Sequence, residues 1–110
     1  MVSDLLQKDV ALGEIVRRLV AAHDPERVYL FGSKARGDDG PDSDYDILMV
    51  VGQDTQPAYR RAQRAYASLA GLATAVDVVV WTRSAFDERL HLKASFPATV
   101  VREGKLLYAA

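Results

Sequence analysis

Two aspartates, Asp44 and Asp46, stand two residues apart at the head of the run Asp44 to Val51 (DYDILMVV). Residues i and i+2 of an extended strand leave the same face, so both carboxylates are expected to share one site while Tyr45 points the other way. Two like charges at that distance repel, and burial worsens the repulsion. A hard divalent cation reverses the balance, since Mg²⁺ takes oxygen ligands at about 2.0 to 2.1 Å and completes its shell with water and phosphate oxygens. A third carboxylate, Asp77, sits in the β-branched run Ala75 to Trp81 (AVDVVVW). If that run lies beside the first, three carboxylates converge, enough to hold two metal ions for in-line displacement at phosphorus. Upstream, Gly32 and Ser33 open a stretch in which one helical turn, Ser33 to Arg36, is expected. Its backbone N–H groups would favour an anion, Gly32 would let the chain approach a phosphate closely, Ser33 would donate its hydroxyl, and Arg36 would add a charge-assisted contact.

Each aspartate alone could equally be a solvated strand-end acid; the combination with Gly32 and Ser33 is what points to a site. Asp38, Asp39 and Asp42 read as loop acids among turn formers. Arg60, Arg61 and Arg64 read as a solvated basic stripe, and His23 as a residue favoured by a helix C-terminus. His91 fits no motif. Trp81 and Phe86 read as core.

The elements that must position these groups follow from periodicity. Ser3 to about His23 carries apolar residues at helical spacing with Ser3 as N-cap, and Asp24-Pro25 closes it. Arg27 to Phe31 (RVYLF) reads as a strand, Gly32 to Ser43 as a turn-rich segment, and Asp44 to Val51 as a second strand. Thr55 to Leu72 reads as a helix with Tyr59, Ala62, Tyr66, Leu69 and Ala70 on its apolar face. A third strand covers Ala75 to Trp81, and a helix covers Ser84 to about Ala94. A short helix, Pro97 to Glu103, is expected to stop at a left-handed Gly104 before a closing strand, Lys105 to Tyr108. The order α-β-β-α-β-α-α-β implies an α+β (α/β) fold, a mixed sheet flanked by helices.

The 110 residues are read as a single domain, residues 1–110. Fourteen basic and fifteen acidic side chains leave a net charge of −1, which argues against direct nucleic-acid binding. The absence of cysteine removes disulfide scaffolds, thiolate zinc sites and cysteine nucleophiles. No stretch approaches a membrane span or a signal-peptide core, so no membrane association and a cytoplasmic location are expected.

Gly32-Ser33, ten residues, then Asp44-Tyr45-Asp46 resembles the G-S-x10-D-x-D pattern of the minimal nucleotidyltransferases of the DNA polymerase β superfamily. The string FGSKARGDDGPDSDYDILMV is similar to their G-S-x-A-R-G and S-D-x-D-[ILV] stretches, and VDVVVW around Asp77 to the strand bearing their third carboxylate. VVREGKLLY is similar to their short helix and terminal strand, so the resemblance spans nearly the whole chain. Lys34 stands where many members have Arg.

The resemblance implies a polymerase β-like nucleotidyltransferase fold. It implies that Gly32 and Ser33 bind the nucleotide triphosphate with support from Arg36. Asp44 and Asp46 would ligate both of two Mg²⁺ ions, and Asp77 would ligate the catalytic one and help deprotonate the acceptor. The reaction implied is transfer of AMP from ATP to an acceptor hydroxyl with release of pyrophosphate. Stand-alone members commonly act as antitoxins that AMPylate a tyrosine of a cognate all-helical HEPN ribonuclease toxin, in type VII toxin-antitoxin pairs. Two alternatives stand beside this reading: a non-catalytic antitoxin that neutralises by binding, and a small-molecule nucleotidyltransferase working with a separate helical subunit.

Overall fold

The computed structural model describes residues 3–110. Helix α1 (Leu5–Lys8) leads into α2 (Val10–His23), then strand β1 (Arg27–Phe31), the single-turn helix α3 (Gly32–Arg36) and strand β2 (Tyr45–Val51). Helix α4 (Ala58–Ser68), strand β3 (Val76–Thr82), helices α5 (Arg83–Arg89) and α6 (Phe96–Glu103) and strand β4 (Lys105–Ala109) complete the chain. Among the described residues, four strands form one sheet in the order β3-β2-β1-β4. β1 runs antiparallel to both β2 and β4, while β2 and β3 are parallel, so the sheet is mixed.

Alternation along the strands sends side chains to two separate cores. Val28, Leu30, Ile47, Met49, Val78, Val80 and Leu107 pack beneath Leu12, Ile15, Val16 and Leu19 of α2 and Ala65 of α4. Tyr29, Leu48, Val50, Val79, Trp81 and Leu106 pack on the opposite side with Phe86 of α5 and Val100 of α6. Phe86 is fully buried, stacked on Tyr29 with ring centroids 5.9 Å apart and edge-on to Trp81 at 6.5 Å. Trp81 and Phe86 are therefore core residues, and His91 lies exposed on the surface.

The first helix is two helices. Asp9, inside the periodic run, is extended and accepts a hydrogen bond from the Leu12 backbone N–H at 3.1 Å, capping α2 and ending α1. Ser3 sits before α1, its hydroxyl oxygen accepting from Leu5 N–H at 3.2 Å. Helix α2 ends on Asp24, which adopts the left-handed conformation (φ 47°, ψ 54°). Gly104 does not: its backbone is extended, at φ −85° and ψ −176°. Glycine is required there for room, because a Cβ would lie 2.5 Å from the Val100 carbonyl oxygen and 2.7 Å from that of Leu30. Helix α4 is shorter than its periodicity suggests and buries Ala65, followed by Leu69 just past its end, leaving Tyr59 and Tyr66 60% and 43% exposed.

Candidate active site

Three strands meet in one rung. Phe31, the last residue of β1, pairs with Asp46, and Asp46 pairs with Asp77. In parallel neighbours about 4.8 Å apart, register partners project to the same side, so the Asp46 and Asp77 side chains leave one sheet face together. Asp44 lies one residue ahead of β2 and exposed, outside the strand in which it was expected. The structure thus brings Asp46 and Asp77 together by pairing and leaves Asp44 at the mouth of the loop.

Gly32 follows Phe31 directly and opens α3 at φ +73°, a conformation that favours glycine. A Cβ there would collide with the Asp46 carboxylate. The glycine is therefore demanded twice, by its backbone and by the acid pressed against it. No side chain caps α3, so its first N–H groups are available to an outside acceptor. The Ser33 carbonyl closes the turn by accepting from Gly37 and Asp38 N–H at 2.9 and 3.1 Å. Arg36 pairs with Asp38 at 3.2 Å and Lys34 with Asp39 at 3.3 Å, so two of the loop acids are ion-paired.

Burial raises the Asp46 pKa above the ordinary carboxylate value; the neighbouring charges of Asp77 and Asp44 push the same way, and Arg36 opposes them. Neither Asp44 nor Asp46 makes a side-chain hydrogen bond or ion pair among the described residues. This is an undercompensated knot of negative charge. Among the described residues no three acids or histidines are already drawn into a cage able to hold a metal ion. The donor set nevertheless fits a hard divalent cation, being all carboxylate oxygen, partly desolvated and short of positive partners. Asp44, Asp46 and Asp77 are the side chains that would hold it.

Asp77 is the member with a partner. Tyr66 of α4 donates its hydroxyl to Asp77 Oδ1 at 2.8 Å, and the Tyr66 hydroxyl oxygen in turn accepts from the Val78 backbone N–H at 3.0 Å. Burial raises the Tyr66 pKa, with Asp77 adding to the rise and the Val78 N–H opposing it. The helical pattern placed Tyr66 on an apolar face and gave no sign of this contact. A second contact was equally hidden. Tyr45, between Asp44 and Asp46, donates its hydroxyl to Asp9 at 2.8 Å, while Lys34 Nζ sits 4.4 Å from its ring centroid. Burial and the Asp9 carboxylate push the Tyr45 pKa up to about 12. The same aspartate that starts α2 thereby anchors β2 on the face opposite Asp46.

The opposite end of β2 and β3 is charged differently. A cavity of about 440 Å³ there is lined by His23, Asp54, Arg61 and Arg64, with Met49, Val51 and Val80 behind them. Arg64 is ion-paired with Asp54, and Arg61 donates to the Gln56 carbonyl at 2.8 Å. Two arginines of the expected solvated stripe are thus tied to the loop after β2. His23 lies 3.2 Å from the Ser68 hydroxyl, and burial, then Arg64, lower its pKa. His23 occupies the last turn of α2, the helix C-terminal place in which the sequence put it.

The model of the nucleotidyltransferase domain family matches residues 12–106. Comparison with curated proteins gives no match. Among solved structures, a protein from Sulfolobus solfataricus assigned as a nucleotidyltransferase superposes with a TM-score of 0.66 at 25% identity, over 91% of this chain and 78% of that one. A toxin-antitoxin structure with AMP-PNP gives 0.54 at 26% identity, over 89% and 73%. A mutant of the MntA-HpeT toxin-antitoxin gives 0.58 at 25% identity, over 90% and 72%. The mixed sheet with flanking helices is the fold of these nucleotidyltransferase neighbours. With 95 of its 110 residues, positions 12 to 106, inside the family's pattern, the chain belongs to the nucleotidyltransferase domain family, and its structural neighbours include chains of toxin-antitoxin structures.

Proposed function

We propose that residues 1–110 act as one Mg²⁺-dependent nucleotidyltransferase domain that transfers AMP from ATP to a hydroxyl of a protein partner, a tyrosine of a cognate HEPN-type toxin. The observation that carries this is the rung of Asp46 and Asp77 beside Gly32, with Asp44 close enough to add to the charge on Asp46. The neighbour solved with AMP-PNP supports an adenine nucleotide, and the toxin-antitoxin neighbours support a toxin as acceptor.

In this reading the N–H groups of Gly32 and Ser33, the Ser33 hydroxyl and Arg36 receive the triphosphate. Asp44, Asp46 and Asp77 hold two Mg²⁺ ions, which when bound neutralise phosphate charge and favour attack at phosphorus. Asp77 accepts the proton of the attacking hydroxyl. The protein's share is positioning and charge placement before the reaction begins. Among the described residues no helix is long and apolar enough to cross a membrane, compatible with a cytoplasmic place of action.

Labelled ATP, Mg²⁺ and the product of the neighbouring toxin gene, incubated together and followed by mass measurement of both proteins, test the proposal. The expected result is one or more AMP groups on a toxin tyrosine, lost with Asp46→Ala. Full neutralisation of the toxin by Asp46→Ala would instead establish the binding-only antitoxin.

A further inference from the structure

Tyr66 stands where the edge of the sheet meets the candidate site. Strand β3 is an edge strand, so alternate backbone groups face outward and need a partner. Val78 N–H finds one in the Tyr66 hydroxyl oxygen at 3.0 Å. Because that N–H can only donate, the hydroxyl proton is free to go elsewhere, and it goes to Asp77 Oδ1 at 2.8 Å. Donor and acceptor accounting thus fixes the direction of both bonds. The ring is placed from below: Ala65, its neighbour in α4, is fully buried, and Ser68 ties the end of the helix by donating to the Ala65 carbonyl at 2.6 Å. A rigid helix therefore holds one oxygen of a carboxylate that belongs to a different element.

We propose that Tyr66 is a positioning residue for nucleotidyl transfer, its hydroxyl holding Asp77 Oδ1 at the strand edge so that Oδ2 is presented toward Asp46. This rests on the reading of Asp77 as a metal-holding carboxylate. The hydroxyl makes no contact with substrate; it removes the torsional freedom that an exposed aspartate at a sheet edge would otherwise have. Partners that orient metal ligands in this way typically carry about ten- to a hundredfold in metal affinity or activity.

The test compares the parent with Tyr66→Phe, using Tyr59→Phe as a control, since Tyr59 lies on the same helix, exposed, beside Arg60 and with no hydrogen bond to a carboxylate among the described residues. Mn²⁺ is titrated into each protein saturated with AMP-PNP, and kcat and the KM for ATP are measured with the acceptor toxin. Tyr66→Phe is expected to weaken Mn²⁺ binding and lower kcat by about tenfold or more while KM for ATP stays within about twofold. Tyr59→Phe is expected to match the parent. In an Asp77→Asn background, Tyr66→Phe should cost nothing further in Mn²⁺ affinity, because its effect runs through Asp77. Unchanged Mn²⁺ binding and kcat in Tyr66→Phe, or an equal loss with and without the Asp77 carboxylate, would overturn the positioning role and leave the transfer reading standing. A parent that binds no Mn²⁺ and transfers nothing would overturn both.

Discussion

The two ends of the β2-β3 pair each carry a cluster of charged side chains and treat it in different ways. At the far end most of the charge is met internally: Arg64 against Asp54, Arg61 against the Gln56 carbonyl although its buried Nε has no partner among the described residues, and His23, with a lowered pKa, against Ser68. At the near end Asp44 and Asp46 have no hydrogen-bonding or ion-pairing side-chain partner among the described residues, and Arg36 is already shared with Asp38. A structural network satisfies its own charges; a site built for a charged ligand leaves part of the balance to that ligand. The cavity of about 440 Å³ at the far end is lined by none of Asp44, Asp46 and Asp77, so that concavity does not mark the candidate site.

The largest expected effect separates the two ends by activity. Asp44→Asn or Asp46→Asn should reduce nucleotidyl transfer by about a hundredfold or more, the scale of losing a principal electrostatic group, with the circular dichroism spectrum unchanged. Arg64→Gln should leave transfer within about twofold of the parent. Comparable losses from both ends would erase the distinction between them.

Two glycines sharpen the comparison next. Gly32 and Gly37 both have positive φ, at 73° and 82°, but a Cβ on Gly37 meets nothing within 4 Å while one on Gly32 meets the Asp46 carboxylate. Gly37→Ala should cost about 1 to 2 kcal/mol in urea unfolding, the penalty of a left-handed alanine. Gly32→Ala should cost more and should also impair transfer, because it displaces a candidate ligand. Equal stability losses in the two variants would show that Asp46 yields freely.

The undercompensated charge should itself be measurable. Asp77→Asn can still accept the Tyr66 hydrogen bond through its amide oxygen but removes one of the charges that raise the Asp46 pKa. Without metal, that variant should melt above the parent. With Mg²⁺ and AMP-PNP at about a hundred times the dissociation constant, the parent should gain about 2.7 kcal/mol and the variant much less. Equal gains would make Asp77 a structural residue.

How much of this was legible in the sequence depends on what carried each feature. The chemistry-bearing loop was readable because glycine, serine and two aspartates at fixed spacing have few other reasons to coincide, and the strands because β-branched runs mark buried sheet. The break at Asp9 was not, since the apolar period continues through it and only a tertiary hydroxyl from Tyr45 and a local cap reveal why it is there. Tyr66 was misread for a related reason. A tyrosine at helical spacing looks apolar, and nothing local says that its hydroxyl reaches the edge of a strand more than ten residues on. Gly104 failed differently: the stop signal was right in position and wrong in conformation, because the constraint is the approach of Val100 and Leu30, not a left-handed turn.

The smallest expected effect sets the two ends apart by the sign of their pH dependence. His23 has a lowered pKa in the folded chain, so between that value and the ordinary 6.5 the unfolded state binds more protons. Its contribution to stability is complete above the unfolded pKa and is lost as pH falls through the folded one. Asp46 is raised, so in metal-free protein the native state binds more protons above 3.8, and that contribution is lost as pH climbs through the raised value. His23→Gln can keep a hydrogen bond to Ser68 without titrating, and subtracting its unfolding free energy from the parent's at several pH values isolates the histidine. The difference should fall as pH drops below 6.5, by a few tenths of a kcal/mol given the partial exposure of the ring. The corresponding difference for Asp46→Asn, measured with a chelator present, should instead shrink as pH rises from 3.8. Parallel slopes would mean that the acids at the near end are as well compensated as Arg64 at the far one, and the argument for a ligand there would rest on the family alone.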